Sequence, residues 1–281
     1  MKIIDKFISN NGNFIKFLQK TNDNLVTETA FIEEENRYII CFASQLGCKI
    51  GCNICYNGIC KNYTRNLTSK EIIEQCINVV NFLDLKEKPI CFSCMGVGEP
   101  LLNYENVVNA IIVLDEIYPN NYFALATTGI KPRMISELAL DLNGIENFKL
   151  TISLHASNDE LRKKIIPINI TLNDIKEQVD KFKSSSHHNF EWNYVLLDKV
   201  NDSKENAVEL SNFIQNDNLK ISIFNEIEGC NYKKSTNIEQ FKEVLKSKNI
   251  NFKVFQSEGT DIEIGCGQMV THYSKTKKIR R

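Results

Sequence analysis

The chain has almost no net charge, no apolar run long enough to cross a bilayer, no internal repeat and no low-complexity linker, and each absence removes a class of protein. Its 34 Lys and Arg face 35 Asp and Glu, a formal net charge of -1. No global field therefore draws it to nucleic-acid phosphates, although local basic patches stay open. The N-terminus, MKIIDKFISN, puts charges inside any candidate apolar stretch, and the run of about 18 apolar residues that a membrane span needs occurs nowhere. The chain reads as cytosolic, with no membrane association. Without a secretion signal, its cysteines do not read as a disulfide framework, because the cytosol keeps thiols reduced.

What is present is cysteine, ten of them in 281 residues. Cys41, Cys48, Cys52, Cys55 and Cys60 crowd one short segment, Cys76, Cys91 and Cys94 follow, and Cys230 and Cys266 lie far downstream. Metal binding or thiol chemistry accounts for such crowding better than packing does. With 42% hydrophobic and 25% charged residues, the chain can bury a large core in one catalytic domain.

Short strand-like runs, FIKFL and LVTETAFI, precede the apolar run YIICFA. A capping box at Thr68 and Glu71 then opens a helix over 68–85, with Ile72, Ile73, Cys76, Val79, Val80 and Leu83 at helical spacing. After it, strand-like runs alternate with amphipathic helices: PICFSCM with 103–117, FALATT with 134–142, FKLTISL with 172–182, FEWNYVLL with 203–215, and KISIFN with 236–248. Thr236 and Glu239 suggest a second capping box there. The rhythm makes six βα units, with NFKVFQ as a last strand-like run. It predicts an α/β fold, a partial (β/α)6 barrel behind a small N-terminal β extension. The expected division is 1–38 for the extension, 39–270 for the barrel and 271–281 for a basic tail.

Cys48, Cys52 and Cys55 place three thiols within eight residues, directly after the first core strand. Three is informative, because a structural zinc site normally closes with four protein ligands. A cubane cluster held by three cysteines leaves one iron open, and that iron can chelate S-adenosylmethionine. The competing readings are a zinc knuckle with Cys41 or Cys60 as fourth ligand, or buried thiols.

The stretches SQLGCKIGCNIC, TRNLT, MGVGEPLLNYENVV, SLHASNDELRKKIIPIN, YVLLDKVNDSKENA and DIEIGCGQM together resemble the class A radical S-adenosylmethionine methyltransferases, over almost the whole chain. These are the RlmN enzymes acting on carbon 2 of adenosine in RNA and the Cfr enzymes acting on carbon 8. The resemblance implies a radical-SAM barrel with a [4Fe-4S] cluster on Cys48, Cys52 and Cys55. It also implies S-adenosylmethionine as both methyl donor and radical source. Gly98 and Glu99 match the pair that receives the cofactor's amino group, and Ser153, Leu154 and His155 match a further cofactor contact. Asn225 matches another by its spacing. The family's Ser-Thr-Ser-Gly turn stands here as Ala126-Thr127-Thr128-Gly129, which leaves only a backbone contact at Ala126.

The resemblance also implies a use for two further cysteines. Carbon 2 or 8 of adenine is electrophilic and cannot attack a sulfonium. In the family a C-terminal cysteine is methylated first, and a radical formed on that methyl group adds to the ring. A second cysteine then resolves the covalent adduct through a disulfide. Cys266, between two glycines, matches the methyl carrier, Cys41 the resolving thiol and Glu28 a glutamate proposed as proton acceptor. Read singly, Cys41 could be core, Cys266 a surface thiol and Glu28 an exposed strand carboxylate. The remaining cysteines read as packing.

The expected substrate is RNA, rRNA or tRNA, with Gly-Glu-Pro at 98–100 tilting toward carbon 2. The same chemistry on a small nucleotide, peptide or natural-product intermediate is the alternative, and a non-catalytic metal-binding RNA module a third reading. Family members carry an N-terminal helical accessory domain that helps grip RNA. This chain reads as a short form beginning after the point where that domain would end. An electron donor such as flavodoxin or ferredoxin is expected as partner, and the protein is expected to be a monomer.

Overall fold

A computed structural model of the chain describes residues 1–256. Cys266, the GCGQM segment and the basic tail lie outside the described residues. Strands β1 (Lys2–Ile8), β2 (Phe14–Lys20), β3 (Val26–Glu33) and β4 (Tyr38–Cys41) pair antiparallel in chain order. A two-stranded ribbon, β5 (Gln45–Leu46) and β6 (Arg65–Asn66), brackets the cysteine-rich loop and the short helix α1 (Tyr56–Cys60). Then come α2 (Ser69–Leu83), β7 (Ile90–Cys94), α3 (Tyr104–Ile117), β8 (Tyr122–Thr127), α4 (Pro132–Asp141) and β9 (Phe148–Ser153). The series continues with α5 (Asp159–Ile165), α6 (Leu172–Ser185), β10 (Asn189–Leu196), α7 (Lys204–Ile214), β11 (Leu219–Ile223), α8 (Ile238–Ser247) and β12 (Phe252–Phe255).

One ten-stranded sheet runs β1-β2-β3-β4-β7-β8-β9-β10-β11-β12, parallel from β4 onward. Parallel neighbours demand crossovers, and helices supply them. β1 and β12 are not paired to each other among the described residues, so the sheet is a partial barrel of the expected kind. Buried strand residues such as Phe92, Leu125, Ile152 and Trp192 pack with Val107, Leu138, Val179 and Phe241 of the helices in one core. Each such side chain contributes about 1.5–3 kcal/mol on burial.

Helix α2 shows how local sequence fixes a part of the site. Thr68 and Glu71 form the expected capping box, and Ile72, Gln75, Cys76, Val79 and Val80 make the buried stripe. Gln75 is the polar member: its amide donates to Ala43 O at 3.1 Å and its oxygen accepts from Ala43 N at 3.1 Å. This clamps the chain just after Cys41, where β4 leaves the sheet.

β1 lies in the 1–38 segment expected to be β; KIIDKFI mixes charges with apolar residues, which a mostly exposed edge strand tolerates. α5 is a seven-residue helix in a stretch to which the sequence assigned no element, too short to show a periodicity. One expectation needs correction. The second capping box, Thr236 with Glu239, does not form, and α8 starts at Ile238 with no side-chain cap. Thr236 Oγ1 donates instead to Asp198 at 3.0 Å and Ser235 Oγ to Asp202 at 2.6 Å, so tertiary partners outcompete the local cap.

Candidate active site

The loop carrying Cys48, Cys52 and Cys55 leaves β5 at Gly47, whose φ of +75° and proximity to Asn62 O, 2.2 Å from where a Cβ would stand, admit only glycine. All three cysteines are half-buried. Cys55 N donates to Cys52 O at 3.2 Å, and Cys55 O receives Ile59 N at 3.0 Å, so the last cysteine starts α1. From the other side α5 holds the loop: Asn53 N donates to Ile165 O at 2.9 Å and Asn53 Nδ2 to Lys164 O at 2.8 Å. The thiols are electrostatic neighbours. Burial, then the nearby Cys55, pushes Cys48 up to about 12, and burial with Cys55 and Cys48 pushes Cys52 well above the usual thiol range. Thiols so placed stay protonated until a metal centre displaces the protons. Among the described residues no three ligand side chains already stand at metal-binding separations. The donor set, three thiols on one loop with Cys41 on the wall of the cavity, suits a three-thiolate cluster.

Gly98 and Glu99 follow β7. Gly98 has φ +114°, and a Cβ there would lie 2.5 Å from Ser44 Oγ, so only glycine lets Glu99 reach its place. The Glu99 carboxylate, 2% exposed, accepts Leu101 N at 3.0 Å, Thr128 N and Oγ1 each at 2.8 Å, and the Thr127 hydroxyl. Burial raises its pKa, and these donors oppose the rise. Ala126 lacks the family's hydroxyl, but the next two threonines grip Glu99 in this chain.

At the end of β9, Ser153, Leu154 and His155 turn the chain. Leu154 is core and donates its N–H to Asn193 O at 2.9 Å, so it offers the site backbone only. His155 sits at φ +57°. Its Nδ1 accepts Val195 N at 3.2 Å. Burial, with Arg162 beside it, lowers its pKa to about 3, leaving a neutral ring whose proton is on Nε2.

Against the sheet lies an open cavity of about 750 Å³. Cys41, Glu28, Lys16 and Asn225 line it. Glu28 is therefore no exposed strand carboxylate: it pairs with Lys16 Nζ at 3.0 Å, with both side chains at most 4% exposed. Burial pushes the Cys41 thiol up to about 11. The structure thus gathers Cys41, Glu28 and Asn225 on the lumen wall, and the cysteine loop, Glu99, Ser153 and His155 where parallel strands end in loops, where barrel enzymes carry their chemistry. Cys266 lies outside the described residues. Lys16, Thr127, Thr128 and Arg162 escaped sequence reasoning.

Residues 43–211 match the radical SAM superfamily. A probable dual-specificity RNA methyltransferase RlmN from Dictyoglomus turgidum is 36% identical over 96% of this chain and 79% of its own length. One of the same name from Listeria welshimeri serovar 6b is 32% identical over 95% of this chain and 74% of its own. The crystal structure of a radical SAM methyltransferase from Sphaerobacter thermophilus superposes with a TM-score of 0.86 at 28% identity, covering 95% of this chain and 80% of that one. A superfamily match over more than half the chain, relatives above 30% identity along nearly all of it and a shared fold agree: this chain belongs to the radical SAM enzymes, in the family of the RlmN methyltransferases.

Proposed function

We propose that the chain methylates an adenine carbon, carbon 2, in RNA, using Cys266 as methyl carrier and Cys41 as resolving thiol. The observation that carries this reading is Cys41 on the wall of the same cavity as Glu28 and Asn225. Cys91 lines the same cavity, so it is the family match, together with the shared wall with Glu28, that singles out Cys41. A [4Fe-4S] cluster with S-adenosylmethionine supplies the radical chemistry and the methyl group when bound.

In this reading Cys48, Cys52 and Cys55 hold the cluster as thiolates. Glu99 receives the cofactor's ammonium, trading its threonine hydroxyl donors for a charged one. Ser153, Leu154 and Asn225 line the rest of the cofactor, and neutral His155 offers it a donor without adding charge. Glu28 accepts the proton that leaves the ring. Residues 1–38 are then more than an extension of the 39–270 barrel, because β2 and β3 bring Lys16 and Glu28 into the lumen.

Relatives named as RNA methyltransferases support RNA as the substrate. A lumen of about 750 Å³ has room for one extruded base and not for a duplex, which suits enzymes that act on a flipped nucleotide. A small electron-carrier protein such as flavodoxin or ferredoxin would deliver the electron, and the catalytic unit would be the monomer. No helix among the described residues is long and apolar enough to cross a membrane.

The test is the Cys41→Ala variant, reconstituted anaerobically and incubated with S-adenosylmethionine and RNA. It should accumulate a covalent protein-RNA adduct, while the unaltered protein releases methylated adenine. Normal turnover by the variant removes Cys41 from the mechanism, and methylation of free adenine nucleotides but not RNA assigns the smaller substrate.

A further inference from the structure

Arg162 lies on α5, the short helix whose last carbonyls grip Asn53, the residue next to Cys52. It is 1% exposed, an unusual place for a guanidinium with five N–H donors. Nη2 donates to Thr128 O and, at 3.4 Å, to Ser153 O. Nε and Nη1 are buried with no hydrogen-bond partner, and Arg162 has no salt bridge among the described residues. Glu99, a buried carboxylate whose charge favours that of Arg162, is already engaged by Leu101, Thr127 and Thr128. Cys52 stands first, ahead of Asp159 and Glu99, among the groups that favour the charge on Arg162. Buried unsatisfied donors on a cation are rare in folded proteins and call for a partner, whether water, ion or ligand.

We propose that Arg162 is a positioning residue for the iron-sulfur cluster, its free Nε–H and Nη1–H donating to the sulfur atoms brought in with the cluster on Cys52 and raising the cluster's reduction potential. This rests on the assignment of Cys48, Cys52 and Cys55 as ligands. The physical argument is charge. A cluster with three thiolates carries net negative charge that grows on reduction, so a fixed cation and N–H···S hydrogen bonds in a dry site stabilise the reduced form. Desolvation lowers the pKa of Arg162 only to about 10, so the cation persists at neutral pH. His155, a basic ring nearby, is neutral there and adds no second positive charge. The two bonds to Thr128 O and Ser153 O hold the guanidinium in place and tie it to the turns that carry Glu99's donors and the cofactor-facing end of β9.

The experiment compares the unaltered full chain with Arg162→Gln and Arg162→Lys, each loaded anaerobically with iron and sulfide. Iron content, the thermal melt and a potentiometric titration followed by electron paramagnetic resonance are read without added S-adenosylmethionine. The glutamine variant should load a cluster whose potential is shifted to more negative values, and the lysine variant should shift less. An unchanged potential in a loaded Arg162→Gln protein overturns the proposal. So does weakened binding of S-adenosylmethionine at an unchanged potential, which would assign the guanidinium to the cofactor's carboxylate. Should the glutamine variant fail to load, the lysine variant decides: it keeps the charge but loses the planar pair of donors, and a potential identical to that of the unaltered protein overturns the proposal. Failure of the unaltered protein itself to load a cluster would instead overturn the ligand assignment.

Discussion

Lys16 and Glu28 are the residues whose burial is hardest to explain by packing. Two opposite charges at most 4% exposed and 3.0 Å apart gain Coulomb energy but forfeit hydration, so such a pair is often no more stabilising than apolar residues of the same size. Breaking it is another matter. Lys16→Met, which leaves a carboxylate in the lumen without this cation, should cost about 3–5 kcal/mol, read as a lower urea midpoint at constant slope. Adding Glu28→Leu to that variant should recover most of the loss while leaving methylation abolished. Residues of this kind were only partly legible. Cys48, Cys52 and Cys55 announce themselves by spacing alone. Glu28 stood out only through a family resemblance, because period-2 alternation in VTETAFI does not say whether its polar face meets bulk water or lines a cavity. Lys16 gave no signal, being one of many lysines, and Arg162 sits in LRKKII, which reads as a solvated face until α5 is seen lying against the cluster loop.

At the scale of elements, the long periodic helices and apolar strands were readable, and the exceptions share a cause. α5 is seven residues long and is held by Asn158, whose side chain accepts Leu161 N at 3.0 Å, and by its contacts with the cysteine loop. Tertiary contacts, more than propensity, keep a helix of that length. α8 lost its expected cap because Thr236 and Ser235 serve the loop after β10. Where a cap is both legible and formed, the local energy should be measurable. Thr68→Ala removes the α2 box that Glu71 completes and should lower stability by about 1 kcal/mol in a urea titration. Its effect on methylation should be small, because Gln75 still clamps the chain after Cys41.

For the whole molecule the sequence carried the count of βα units, since strand and helix periods alternate along most of the chain. It did not carry the fusion of β1–β3 with the barrel sheet or the lumen against it, which arise only from pairing. Burying titratable groups around that lumen sets the response to acid. The unfolded chain protonates His155 near 6.5, whereas the folded chain keeps it neutral down to about 3, and His188 is shifted the same way. Below pH 6.5 the unfolded state therefore takes up protons that the folded state refuses, and stability falls as pH drops. Glu99 has the opposite sign, since its raised pKa lets the folded chain take a proton first; it offsets part of the loss as pH falls toward 4.5 and adds nothing further below that. His155→Asn, which tolerates a left-handed backbone, should flatten the decline in thermal midpoint between pH 6.5 and 4.5. An unchanged slope would show that the ring is not buried neutral.

The central claim is that this chain carries a methyl group on Cys266 before it meets its substrate, and intact-protein mass spectrometry tests it most directly. The cluster-loaded chain is incubated with S-adenosylmethionine alone, beside the Cys266→Ala variant loaded in the same way. The account predicts the mass of a single added methylene on the unaltered protein and none on the variant. A loaded cluster with no methyl on Cys266 would contradict it, and would mean that the same barrel performs a different radical reaction.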